Sequence, residues 1–334
     1  MKIAVIGAGA IGNLVAGYLK IRGEDVVLAG NPDSLRAIKE SGLVISGPRG
    51  DFKINIDISS RLQEDCDLAV LTVKTQDLAK AIQDNLAFLK NAAVVTTQNG
   101  VSCDDIASRF LAKEQIISSI VMFGATYLDA GHVVHNFDGN WILGSVFGSN
   151  SRLTTISHVL KEAFPVVIAD DIKGMKYLKI FVNANNCVAA ILGLSMQEAF
   201  SYPQISRISI AIWKEGLAVV KKAGIKLVSL PDFPLERLEK LTALPLDEAA
   251  KIFSGIMVNL SKEPLYGSIL QSIKRGRQSE IDYINGEFTR IARENKISAP
   301  LNEKLVSLLH EVEKTGKFFS QEELINATKG LFNG

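Results

Sequence analysis

Apolar and polar positions follow two different rhythms along this chain, and the change falls near residue 168. In the first part, short apolar runs alternate with segments of helical period. KIAVI, DVVLA, DLAVLTV, AAVVTT and QIISSIVMF read as strands. LVAGYLKIRG, SLRAIKESG, DLAKAIQDNLAFLK and CDDIASRFL read as the helices between them. Strands that are apolar throughout, separated by helices, predict a parallel sheet covered on both faces. GLVISGPRGDFKIN departs from this rhythm. Two alternating segments flank the turn-forming GPRG, which predicts a small hairpin. A further β-rich stretch, GHVVHNFDGNWILGSVFG, is followed by an amphipathic helix, RLTTISHVLKEAF, and a short strand, PVVIA.

Beyond that point the period is helical. DIKGMKYLKIFVNANNCVAAILGL is long and almost wholly apolar after Lys179. It predicts a central buried helix, because Lys176, Lys179, Asn183, Asn185 and Asn186 interrupt the apolar run that a membrane span would need. Further helices are expected at about 203–223, 247–260, 278–296, 300–313 and 320–331. LPDFPLERLEKLTALPL, punctuated by prolines, reads as a solvent-facing connection. The expected architecture is α/β: an N-terminal Rossmann doubly wound sheet over residues 1–168, then an all-α C-terminal domain over 169–334 that carries substrate and catalytic groups.

The most informative segment lies at the start. GAGAIG, residues 7–12, follows the first apolar run and opens the first helix, the context in which G-x-G-x-x-G binds a dinucleotide. Gly7 makes the turn, Gly9 lets a pyrophosphate approach the backbone, and Gly12 lets the helix pack close to the strand. Ala8, Ala10 and Ile11 complete the turn, and the helix N-terminus offers free N–H groups to the phosphates.

Composition narrows the remaining classes. The 334 residues suggest two domains, and 47% apolar residues suffice for a large core. With 37 basic against 36 acidic residues, bulk charge gives no reason to expect a nucleic-acid partner. Three scattered cysteines and no C-x-x-C fit a reducing, cytoplasmic setting. The first strand begins at residue 2, which leaves no room for a cleavable signal, and no membrane association is expected. The four histidines lack metal-ligand spacing, so no metal site is expected.

Several polar residues stand out on apolar elements. Lys179 and Asn183 are four apart and share a helix face. Lys179 admits two readings: a buried amine with altered chemistry, or a lysine whose stem covers core while its head reaches water. Glu280 reads as a first-turn carboxylate of its helix, favoured by the dipole. Ser268 sits in a Gly-containing turn near Lys274, Arg275 and Arg277, a cluster that is either a solvated face or a carboxylate-binding group. Lys74 and Asn99 follow strands, at their carboxyl ends; Asn99-Gly100 also reads as a plain turn.

In order, GAGAIG, TVKTQ, TQNGV, YLKIFVNANN, YGSILQS and SEIDYINGEF resemble the motifs of the ketopantoate reductases (2-dehydropantoate 2-reductases) over essentially the whole chain. EIDYING is the least generic of them. The resemblance implies an oxidoreductase of pantothenate biosynthesis that passes a hydride from NADPH to the ketone carbon of a 2-oxo acid, ketopantoate being the best candidate. Lys179 would then be the general acid. Glu280 would hold the substrate hydroxyl and help position Lys179. Asn183, Asn99 and Ser268 would orient substrate and nicotinamide, and Lys74 would sit near the nicotinamide ribose.

Three positions depart from the family pattern. Where an arginine commonly holds the 2′-phosphate after the second strand, this chain has Asn31, which with Pro32 reads as a helix cap; Arg36 is one turn on. NADPH is therefore favoured while NADH stays open. Cys187 stands where a second asparagine is usual, with Asn186 one residue out of phase, and Ser272 replaces a usual aspartate. These two changes leave the reaction class intact and open the identity of the oxo acid, or of an opine-like substrate. A cofactor-binding sensor without turnover is the alternative from another class. The apolar helical domain is compatible with a homodimer.

Overall fold

The computed structural model describes residues 1–127, 129–261 and 263–332. The chain divides into two compact units, Met1–Lys173 and Gly174–Gly334.

Unit 1 contains, in order, β1 (Lys2–Ile6), α1 (Ala10–Ile21), β2 (Asp25–Ala29), α2 (Pro32–Ser41), β3 (Leu43–Ser46), β4 (Phe52–Ile54), β5 (Asp57–Ser59), β6 (Leu68–Leu71), α3 (Thr75–Asn85), β7 (Ala93–Thr96) and α4 (Cys103–Ala107). There follow β8 (Ile116–Val121), β9 (Gly124–Thr126), β10 (His132–Phe137), β11 (Trp141–Gly144), α5 (Leu153–Lys161) and β12 (Val166–Ile168). The main sheet has the order β12-β11-β8-β7-β6-β1-β2-β5. Its centre is parallel, as the uninterrupted apolar runs predict, and β11 enters antiparallel to β8.

Alternation along β1 explains the layering. Ile3 and Val5 join one apolar cluster with Leu14, Val15 and Leu19 of α1. Ala4 and Ile6 join another on the opposite face, with Leu78 and Ile82 of α3. The expected hairpin is present as antiparallel β3 and β4, within a second sheet of order β4-β3-β10-β9. His132 and His135 take separate partners there, Ser46 and Tyr18.

Unit 2 is helical. α6 (Ile172–Ala184) crosses the unit boundary; α7 (Asn186–Leu192), α8 (Met196–Phe200), α9 (Pro203–Lys222), α10 (Leu235–Ala243), α11 (Leu246–Val258), α12 (Ser268–Lys274), α13 (Asn285–Glu294), α14 (Pro300–Thr315) and α15 (Gln321–Thr328) follow. Phe181 of α6 packs on Phe288 of α13 with ring centres 4.8 Å apart, and Trp213 Nε1 of α9 donates to the Phe181 carbonyl at 2.8 Å.

Four local expectations need correction. The single helix expected over 171–194 is broken at Asn185, whose buried side-chain amide finds no hydrogen-bond partner among the described residues. The proline-punctuated connection contains α10, whose Leu238 and Leu241 are buried; the prolines lie outside the helix and only bound it. Ser268 begins α12 instead of occupying a turn, and Gly267 is its N-terminal boundary residue. Glu280 is not in the first turn of an α-helix. It precedes a 3₁₀ turn, Ile281–Tyr283, and α13 starts only at Asn285.

Candidate active site

In unit 1 the chain reverses direction across the sheet at β1, which lies between β2 and β6. In an open parallel sheet this switch point is where a ligand is held beyond the carboxyl ends of the strands. The glycine turn sits there. Gly7 has φ +124°, and a Cβ on it would lie 2.6 Å from the Val73 nitrogen. A Cβ on Gly12 would lie 1.8 Å from the Gly7 carbonyl oxygen, so only glycine permits α1 to start so close to β1. At Gly9 the same construction meets nothing within 4 Å: the backbone there borders open space, as a pyrophosphate cradle requires. No side chain caps α1, and its first turn carries no acidic residue. The N–H groups of Ala10 and Ile11 therefore point out of the helix end without competition from a carboxylate. These features fit a dinucleotide.

Thr72 was not among the expected site residues. Its hydroxyl lies 2.8 Å from the Gly7 carbonyl oxygen and 3.1 Å from that of Ile6, clamping the loop after β6 to the glycine turn. Gln98 plays a similar part: Nε2 donates to the carbonyls of Leu71 and Val73, each at 2.8 Å, joining the ends of β6 and β7. Both flank the singled-out Lys74 and Asn99, so TVKTQ and TQNG carried the signal; short polar residues after strands are too common to be chosen by type alone.

Lys74 is half-buried at the N-terminal boundary of α3, and the Asn99 carbonyl receives the Thr75 hydroxyl at 3.4 Å. Asn31 accepts from the Ser34 N–H at 3.0 Å, capping α2 with Pro32 in the first turn as expected. Arg36 is exposed, 3.7 Å from the exposed Asp33 carboxylate. The structure thus brings Gly7–Gly12, Lys74 and Asn99 to the carboxyl edge of the central strands. Asn31 joins them: a Cβ at the preceding Gly30 would lie 2.4 Å from that of Ala8.

In unit 2, Lys179 and Asn183 are both half-buried on α6. Burial pulls the Lys179 amine from its usual 10.5 to about 8, against the opposing attraction of Asp232. Of the two readings of this lysine, its desolvation favours the withdrawn amine. Glu280 is 8% exposed, an uncommon degree of burial for a carboxylate. The turn that follows it is tied to α14 by His310, which reaches Asp282 at 2.9 Å and Glu313 at 3.1 Å; Glu313 in turn accepts from the Ser279 N–H at 2.8 Å.

Ser268 is exposed at the start of α12, and its carbonyl accepts from the Ser272 hydroxyl at 2.8 Å. Lys274 lies over the Tyr266 ring at 4.2 Å and faces solvent, as does Arg277. Cys187 is fully buried, its thiol pushed up to about 12 by desolvation, with the Asn285 side chain hydrogen-bonding it in opposition. A polar chain continues inward. Asn285 donates to Asn302 at 3.0 Å, and Asn302 donates to Glu215 at 2.8 Å. Among the described residues no helix is long and apolar enough to cross a membrane.

Comparison with known proteins bears on this arrangement. The family described as Ketopantoate reductase PanE/ApbA matches residues 3–147, and its C-terminal counterpart matches residues 171–313. Proteins named 2-dehydropantoate 2-reductase from Pyrococcus horikoshii and Archaeoglobus fulgidus are 29% and 27% identical to this chain. The alignments cover 95% and 93% of it, and 99% and 98% of those proteins. Two solved structures, each 25% identical, cover 94% of this chain and 99% of their own. One is D-mandelate dehydrogenase with NADH and anilino(oxo)acetate, at TM-score 0.81; the other is a PanE/ApbA family ketopantoate reductase from Ralstonia eutropha JMP134, at 0.79.

Proposed function

The chain belongs to the ketopantoate reductase family, and is an oxidoreductase acting on CH–OH groups; we propose that it reduces 2-dehydropantoate to pantoate with NADPH. The feature that supports this reading most is Lys179: a half-buried amine, its pKa lowered by desolvation, four residues from an amide on the same helix face. A general acid is most effective when its pKa lies near the working pH. In water a lysine is a poor proton donor at neutral pH; desolvation makes this one a better one.

The residues divide the work as follows. The N–H groups at the start of α1 hold the pyrophosphate, with Gly7, Gly9 and Gly12 giving it room. Arg36 supplies a cation for a 2′-phosphate, with Asn31 at the tip of β2; Lys74 and Asn99 bind the nicotinamide end. When bound, the dinucleotide supplies the hydride to the carbonyl carbon. Lys179 donates its proton to the carbonyl oxygen and stabilises the negative charge that builds there. Glu280 accepts a hydrogen bond from the resulting hydroxyl and orients the ammonium. Asn183 and Ser268 fix the acid so that the carbonyl meets Lys179 in one orientation.

A second reading is favoured by one observation, the likeness to an NADH-bound D-mandelate dehydrogenase. On that reading the chain reduces a bulkier or aromatic 2-oxo acid with NADH. The exposed, Asp33-paired state of Arg36 and the presence of Cys187 and Ser272 at departing positions are compatible with it. A screen following loss of reduced-nicotinamide absorbance, with both cofactors crossed against 2-dehydropantoate, aliphatic and aryl 2-oxo acids, separates the two. Turnover of none of these acids with either cofactor would refute both.

A further inference from the structure

Helical phase assigns the residues of the broken α6–α7 segment to two sides. Lys179, Asn183 and Asn186 fall at i, i+4 and i+7, the spacing of one helix face. All three are half-buried, whereas Ile180, Phe181, Ala184 and Cys187 are buried. Asn185, at the break, keeps right-handed helical backbone with φ −75° and ψ −11°. Cys187 is fully buried, so it cannot present a group on the Lys179 face.

Asn186 has a different neighbour. A Cβ on Gly267 would lie 3.0 Å from its Cγ and 3.3 Å from its Oδ1. The missing side chain at Gly267 therefore lets the backbone just ahead of α12 approach the Asn186 amide. That amide makes no hydrogen bond to any described residue. An amide two turns on from Lys179, beside the residue that precedes Ser268, with neither donor nor acceptor bonded to a described residue, is open to a polar ligand.

We propose that Asn186 is a further substrate-binding residue, whose amide donates to the carboxylate of the 2-oxo acid beside Ser268. The proposal rests on the reading of Lys179, Asn183 and Ser268 given above. Its consequence is that the amide needed at this end of the site comes from a residue one position earlier than Cys187, with Cys187 left to the core. The carboxylate end is common to all 2-oxo acids, so Asn186 sets affinity for the acid and not the choice among side chains.

The test uses steady-state kinetics of the full chain with the best acid found in the screen. Asn186→Asp keeps the shape of the residue but places a carboxylate against that of the substrate. We expect KM for the acid to rise about tenfold or more, as for loss of a hydrogen bond to a charged group, with KM for the dinucleotide within about twofold. Asn186→Ala should give a smaller rise of the same sign. Gly267→Ala, which presses on the amide, should also raise KM for the acid. Cys187→Ala is the control and should leave KM for the acid near the wild-type value. The inference is overturned if Asn186→Asp binds the acid as the wild type does, or if Cys187→Ala raises KM as much as Asn186→Ala. Since wild-type turnover is measured first, failure of the underlying reading appears as an inactive wild type, and failure of this inference as an active wild type with indifferent variants.

Discussion

The Thr72 hydroxyl donates to the carbonyl of Gly7 over 2.8 Å, so the loop that ends β6 holds the glycine turn that ends β1. Neither residue needs a ligand for this contact. A turn held by its own hydrogen bonds loses less freedom when a dinucleotide binds.

Thr72→Val keeps the shape and removes the donor. We expect a stability loss of about 1 kcal/mol and a weaker dinucleotide affinity, read by denaturant titration and by fluorescence titration with NADPH. Gly12→Ala is more severe, because its methyl group would stand 1.8 Å from the Gly7 carbonyl oxygen. Dinucleotide binding should be lost in that variant, and retained affinity would remove Gly12 from the cradle.

Lys179→Met should lower kcat about a hundredfold or more, the usual contribution of a general acid, while dinucleotide affinity stays unchanged. In the wild type the reduction rate should fall as the pH rises through about 8, where the amine loses its proton. The stability effect has the opposite sense. The folded pKa lies below the unfolded one, so the protonated lysine destabilises the fold at neutral pH, and that penalty fades as the pH rises from about 8 toward 10.5. Lys179→Met should accordingly melt higher than the wild type at neutral pH, with the gap closing in alkali.

Arg36→Ala should weaken NADPH about tenfold, as for one charge-assisted contact, and leave NADH within about twofold. Equal effects on both cofactors would take Arg36 out of the 2′-phosphate site.

All three cysteines are buried, and burial pushes the Cys66 thiol up to about 11 and that of Cys187 to about 12. Native protein should therefore react slowly with a disulfide reagent at neutral pH, because the thiolate is the reactive form. Three thiols per chain should titrate at once after unfolding. Rapid reaction of one thiol in the native state would contradict this burial.

Much of the fold was legible in the chain. The strands of the parallel core are apolar throughout because both faces are covered, and a run such as KIAVI has no other soluble home. GAGAIG was legible because Gly7 and Gly12 meet steric demands that another residue fails, and the Asn31-Pro32 cap follows from local hydrogen bonding alone. Helices α9, α11 and α14 announced themselves by period.

What the residues did not announce arises where distant segments meet. Asn185 breaks a segment whose apolar period continues across it, and α10 forms between prolines because Leu238 and Leu241 find a core to enter. The lowered pKa of Lys179 could be raised only as one of two readings, since desolvation is a property of what surrounds an amine and not of the amine. Likewise, both Asn186 and Cys187 lie near the helix face of Asn183 in the sequence. Only packing decides which of them is committed to the core: Cys187 is fully buried and Asn186 is not. Local pattern thus determined the elements and the phosphate-binding turn, whose physics is short-range. Tertiary packing decided the protonation and the facing of the polar residues, because both depend on neighbours tens of residues away along the chain.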